Sequence, residues 1–326
     1  MTNLRLSWYS GSDTYLYTLG KELIARGHEV SIYSPNISYV YQGRRFKEAG
    51  FKVFDSLETS LNILSKDKEF DVIHGQHNQP VSEVSKLFPK LPVIFVSHGV
   101  LPEPEKYPKD ILISEYIGVS EEVVEFQFKN ILENKKRVIR NPIDLERFSY
   151  APRKVEKRLK VLITSNYFHN SWVGSEVWEM AKNLDADITV LGTNGRMTFN
   201  PEKYIKDCDI GIGLGRSILE VMAMGKPVII GDYAGYDGVI TPKNYKLIRQ
   251  KNFSSRTNKE QRTGEKLTKE IKNIFSGDYL KMGKDNREII EKYHNVKLIA
   301  DRFENIYKEV TLCKQPLNNQ TEVSNG

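Results

Sequence analysis

The chain is 326 residues long, with 28% charged and 39% apolar residues. That balance excludes a collagenous, disulfide-stapled or wholly disordered protein. The net charge of +6 is uneven, because residues 1–150 carry 19 Lys and Arg against 20 Asp and Glu.

The basic surplus therefore lies in residues 151–326, where an anionic ligand or a solvated basic surface accounts for it. Cys208 and Cys313 are the two cysteines. They cannot make a disulfide framework and suit a reducing compartment. No run reaches the ~18 apolar residues of a membrane span, and MTNLRLSWYSGS lacks the apolar core of a signal peptide. A cytoplasmic protein is expected, with peripheral contact to the inner face of a membrane left open.

Short apolar runs alternate with amphipathic stretches. Leu4–Trp8 reads as a first strand and Tyr15–Arg26 as a helix that Gly27 ends. Strands follow at Glu29–Tyr33, Lys52–Phe54, Val72–His74, Val93–Ser97, Tyr116–Val119 and Lys136–Ile139. Helices at Phe46–Ala49, Leu57–Leu64, Val81–Phe88 and Glu121–Asn130 are interleaved with them. Residues 141–159, with two prolines and a charge run, break the rhythm and read as a linker. Alternation then restarts with strands at Lys160–Thr164, Ile188–Leu191, Ile210–Gly213 and Val228–Gly231. The intervening helices are Ser175–Leu184, Pro201–Asp207 and Ile218–Met224, with more helix over 264–275 and 284–310. This pattern predicts two doubly wound α/β, Rossmann-like halves with parallel sheets. The expected division is 1–148, 149–312 with its last helix free to pack back on the first half, and a disordered polar tail at 313–326.

Ligands of such sheets bind beyond the carboxyl ends of the strands, so a cleft between the halves is the expected site. The most informative segment is CDIGIGLGRSILEVMAMGKPVIIGD, residues 208–232. There a strand runs through Gly211 and Gly213 to Gly215, and a helix begins near Ser217. Glycines allow close backbone approach, and a helix start offers free N–H groups to an anion. Glu220, one turn in, can accept a pair of ribose hydroxyls. Gly211-x-Gly213 with Asp232 also permits a dinucleotide reading, hence a nicotinamide oxidoreductase, although Arg216 stands where a third glycine belongs. Gly235 and Gly238 follow the next strand and could wrap a ligand. His74 and His77, three apart, lack a third metal ligand and are assigned to the cleft near an acceptor; no metal and no cofactor is expected.

LEVMAMGKPVII resembles the LEAMA-x-GKPVI segment of retaining glycosyltransferases of the GT-B fold, family 4. LGKELIARGHEVSIYSP, DVIHGQH, PVIFVSHGV, IGVSEEVVEF and KRVIRNPIDLERF resemble further family segments in the same order. The resemblance implies a nucleotide-sugar donor bound mainly by the second half, and a glycan or lipid-linked acceptor; nucleic acid is not implied. Glu220 matches the second Glu of the family's Glu-x7-Glu motif, which holds the donor ribose. Gly213, Leu214, Gly215, Arg216 and Ser217 match the loop at the donor sugar and phosphates. His98 matches a histidine beside the donor sugar, and Gly11 and Ser12 lie in a loop that approaches the diphosphate. The resemblance further implies retention of anomeric configuration, with the donor phosphate itself taking the acceptor proton.

Two departures stand out. Ile212 occupies the first Glu position, and TSNYFHNSWVGSE lacks the usual phosphate-clamping Arg and Lys. Arg216 is the expected replacement because its fork suits phosphate oxygens, with Arg140 and His169 behind it. A non-catalytic, donor-binding or partner subunit is the alternative these departures motivate.

Overall fold

The computed structural model describes residues 1–6, 10–57, 70–168, 173–258, 260 and 263–312. Ser7 and Trp8 of the expected first strand, most of the expected helix Leu57–Leu64, His169 and the tail 313–326 lie outside those residues.

The first half opens with α1 (Gly11–Ala25), whose N-cap Ser10 accepts a hydrogen bond from the Asp13 amide. Its apolar residues Tyr15, Leu16, Leu19 and Leu23 recur at helical spacing and are all buried. Then follow β1 (Ser31–Tyr33), α2 (Arg44–Glu48), β2 (Lys52–Phe54), β3 (Ile73–Gln76), α3 (Asn78–Leu87) and β4 (Val93–Ser97). β5 (Glu115–Gly118), α4 (Glu121–Gln127) and β6 (Lys136–Val138) complete the half. β3, β4, β5 and β6 pair in parallel in that order, and β1 pairs in parallel with β2. Among the described residues at the start of the chain, pairing centres on single bridges at Thr2 and Leu6. Thr2 bridges both Tyr33 and Gly75, so the first residues join β1 to β3.

The second half contains β7 (Lys160–Thr164), α5 (Val173–Leu184), β8 (Asp187–Leu191), α6 (Pro201–Asp207), β9 (Ile210–Gly213), α7 (Gly215–Ala223) and β10 (Val228–Asp232). β11 (Gly235–Val239), α8 (Tyr245–Ile248), α9 (Gly264–Ser276), α10 (Tyr279–Tyr293) and α11 (Val296–Leu312) follow. The strand order is β11-β10-β9-β7-β8, parallel except for β11. The expected glycine loop at 235–238 is therefore corrected to an antiparallel hairpin strand on the sheet edge. Gly235 (φ +146°) and Gly238 (φ +79°) give that hairpin the positive φ angles it needs.

The linker is not loose. Its Ile143 and Phe148 are buried in the second half's core with Leu219, Met222 and Ile290. The Ile143 amide donates to His294 O at 2.7 Å, and the Val296 amide donates to Ile143 O at 3.0 Å. The two chain crossings between the halves thus run side by side. Beyond the second crossing, α11 buries Ile299, Ala300, Phe303 and Ile306 in the core of the first half, against α1. Burying each of the three large side chains is worth about 1.5–3 kcal/mol, so α11 ties the halves together.

Candidate functional site

A cleft cavity of about 290 Å³ lies between the halves. The first half supplies Ser10, Gly11, Thr14, Gln42 and Arg45 to its wall. The second half supplies Thr164, Ser165, Leu214, Gly215, Arg216, Ser217, Glu220 and Asp232, and the crossing segment supplies Arg147. Two helix starts meet here. α1 begins at Gly11, and α7 begins at Gly215 with no side chain capping it at Leu214. The positive ends of both helices and their free N–H groups make the cavity a place for an anion.

Glu220 lies one turn into α7 and is buried, with its Oε1 3.3 Å from Arg216 Nε. Burial pushes its carboxyl up, while Arg216, Arg147 and Arg45 pull it back down. Gly215 has φ +62° and nothing within 4 Å of where a Cβ would stand, so the backbone is bare toward the cleft. Ser217 Oγ donates to Leu214 O or Thr164 Oγ1, each at 3.0 Å, which fixes the turn.

Arg216 lines the cavity, but the expectation that its fork clamps phosphate is corrected. One Nη donates to Pro142 O and the other to Thr18 Oγ1 at 2.9 Å. Both arms are used to join α7 to the crossing segment and to α1. Burial, ahead of the charges of Arg147 and Arg45, lowers its pKa. Gly213 is also set aside as a ligand contact, because a Cβ there would stand 2.1 Å from Thr164 Oγ1; it lets β9 lie against β7. Gly235 and Gly238 do not line the cavity; Gly238 faces the Glu270 carboxylate of α9 instead. Ile212 is 1% exposed and packs with Ile163 and Ile210, so the first motif position serves the core.

The histidines divide. His74 is corrected from a cleft residue to a core one: its Nδ1 is 2.7 Å from Tyr307 Oη on α11, and Phe303 packs against its ring. Burial drives its pKa down to about 3, so it stays neutral. His77 sits at the start of α3 with φ +63°, accepts the Leu4 amide on Nδ1 at 3.1 Å, and lines none of the cleft cavity. His98 lies outside the cavity wall, edge-on to Tyr15 at 4.7 Å between centroids. Its Nε2 is buried without a hydrogen-bond partner among the described residues. Burial takes its pKa to about 4, against the pull of Glu105. Glu105 accepts the His98 amide at 2.6 Å and Ser97 Oγ at 3.1 Å, and stands 3.6 Å from His77 Nε2. Ser12 pairs with Ser10 Oγ at 3.0 Å at the rim of α1.

Sequence reasoning missed Arg45, Gln42, Tyr167, Phe199 and the role of Arg147. Of these, Arg147 falls in DLERF and Tyr167 in TSNYFHNSWVGSE, neither position carrying a signal of its own. Among the described residues, no group of three or more His, Cys, Asp or Glu could hold a metal ion. No described helix is long and apolar enough to cross a membrane.

Solved structures share this architecture. A glycosyltransferase from Rickettsia africae ESF-5 is 17% identical, with TM-score 0.65 over 95% of this chain and 98% of that one. HepE of Anabaena, in complex with UDP, is 12% identical, with TM-score 0.61 over 94% and 99%. MurG of Acinetobacter baumannii is 11% identical, with TM-score 0.52 over 93% and 99%. No curated protein matches the chain in sequence. The fold is GT-B, the fold of these glycosyltransferases. Residues 9–147 match the model of Glycosyltransferase Family 4.

Proposed function

We propose that the chain transfers a sugar from a nucleoside-diphosphate donor to an acceptor hydroxyl, with retention at the anomeric carbon. The observation that carries this reading is the convergence of Glu220 and two helix starts, one from each half, on one cleft cavity. The carboxylate suits a ribose diol, and the helix starts suit the diphosphate. As the bond from the anomeric carbon to the diphosphate breaks, its electron pair stays on the phosphate oxygen. The helix dipoles stabilise that growing charge without reorganising. The acceptor oxygen bonds to the same face of the anomeric carbon, and its proton passes to the leaving phosphate oxygen. No side-chain base is assigned.

A role in surface polysaccharide or glycoconjugate synthesis, at the cytoplasmic face of a membrane, belongs to the same proposal. Leu101, Phe126 and Leu132 are exposed, as are Lys129 and Lys135 near the latter two in sequence, and these support it. Apolar side chains rimmed by lysine suit an anionic bilayer surface. Co-sedimentation with phosphatidylglycerol vesicles, and not with phosphatidylcholine vesicles, is the expected result.

A panel of nucleoside diphosphates and their sugars tests the reaction. One nucleotide should raise the melting temperature of wild type and fail to do so for Glu220→Ala, and one nucleotide sugar should yield a glycosylated product with unchanged anomeric configuration. A wild-type protein indifferent to every nucleotide overturns the reading.

A further inference from the structure

A donor diphosphate brings two or more negative charges into the cleft, yet Arg216 has both arms of its fork engaged elsewhere. Arg45 and Arg147 are the other two cations of the cavity wall. Arg147 donates from Nη2 to Glu202 Oε2 at 2.8 Å and to Phe199 O. Arg45 has no carboxylate within ion-pair distance among the described residues. Its guanidinium lies 3.7 Å from the Tyr17 ring centroid and 4.9 Å from that of Phe199. Its hydrogen bond from Nη1 to Gln42 Oε1 is long at 3.4 Å, and the Tyr17 side chain also bonds to it. Burial, and then the neighbouring Arg147 charge, loosen its hold on the proton.

The Glu220 carboxylate that draws on Arg45 is shared with Arg216 and Arg147, so a further anion would relieve the crowding of cations. A half-buried guanidinium faces a like charge, and two aromatic rings hold it in place. Arg45 belongs to α2 of the first half, whereas Arg147 lies on the crossing segment packed into the second. An anion between them would be gripped from both sides, and Arg forks match phosphate oxygens in pairs.

We propose that Arg45 and Arg147 form a two-sided seat for the diphosphate of the donor, in place of the basic pair missing after β7. The inference rests on the donor reading above. Inorganic pyrophosphate is the probe that separates the two, because it needs neither the right base nor the right sugar. Calorimetry on the full chain should show wild type binding pyrophosphate. Arg45→Gln and Arg147→Gln should each weaken that binding about tenfold to a hundredfold, and Arg45→Lys should fall between. Binding of the bare nucleoside should not change. Unfolding curves on the same variants confirm that they are folded. Pyrophosphate bound equally well by the folded variants overturns the seat and leaves the transfer reaction standing. Pyrophosphate bound by wild type and lost in the variants, with no transfer from any nucleotide sugar, supports the seat and overturns the transfer reading.

Discussion

Arg216 Nη2 lies 2.9 Å from Thr18 Oγ1, so a side chain from α7 of the second half is fastened to α1 of the first. The other arm holds Pro142 O, and Nε faces Glu220. Arg216 is a buried strut at the junction of both halves and the crossing segment.

Arg216→Ala is therefore a stability variant before it is a binding variant. It strands the Glu220 carboxylate in a buried setting and removes two hydrogen bonds between elements. Breaking a buried pair from one side costs about 3–5 kcal/mol. Urea unfolding should show that loss. An unfolding free energy within about 1 kcal/mol of wild type would mean that the strut carries little.

Glu105 acts through the loop that carries His98. Its carboxylate takes the His98 amide and Ser97 Oγ and faces His77. Glu105→Gln removes the charge and half of the accepting capacity, so the loop should relax. Misplacing a cleft loop by about 1 Å lowers kcat on the order of a hundredfold. Donor KM should move far less, since His98 lies outside the cavity wall. A parallel loss in KM would place Glu105 in donor binding instead.

Acid should unfold this protein early. Burial holds His74 and His294 near pKa 3 and His98 near 4, against 6.5 when exposed. Between pH 6.5 and those values, the unfolded chain takes up protons that the folded one refuses, so stability falls as pH falls. Each histidine contributes about 2 kcal/mol of loss between pH 6.5 and 5. Denaturant titrations at pH 7.5 and 5.0 measure the slope. His294→Asn, which removes one of these histidines, should reduce the loss of stability between the two pH values by about 2 kcal/mol.

Much of the fold was legible, because buried strands and amphipathic helices impose their periods on the sequence. The run from Ile210 to Asp232 shows this: β9, α7 and β10 stand close to where the apolar spacing places them. Glu220 was legible for the same reason, as a carboxylate one turn past a helix start. Gly235 and Gly238 misled because positive φ serves a hairpin as well as a ligand loop. Arg216 misled because its partners Thr18 and Pro142 are distant in sequence. Arg45 could not be seen at all. It sits in an ordinary exposed-looking GRRF stretch, and only folding brings Arg147, Tyr17 and Phe199 around it.

Gly213 and Gly215 stand two residues apart and should respond in opposite ways to the same substitution. A methyl at Gly213 would stand 2.1 Å from Thr164 Oγ1 and 2.6 Å from the backbone Thr164 O, which cannot yield without moving β7. Gly213→Ala should prise β9 from β7 and cost about 3 kcal/mol. Any effect on donor binding would follow from that distortion. A methyl at Gly215 meets nothing within 4 Å, and its cost is the left-handed backbone at φ +62°, about 1–2 kcal/mol. Yet Gly215 opens α7 on the cavity wall, where a methyl would hold the diphosphate off the free N–H groups. Gly215→Ala should thus remain folded and lose pyrophosphate affinity by about tenfold. Unfolding and pyrophosphate titration of both variants, side by side, check the contrast. Equal affinity for pyrophosphate in wild type and folded Gly215→Ala would remove the α7 start from the donor site.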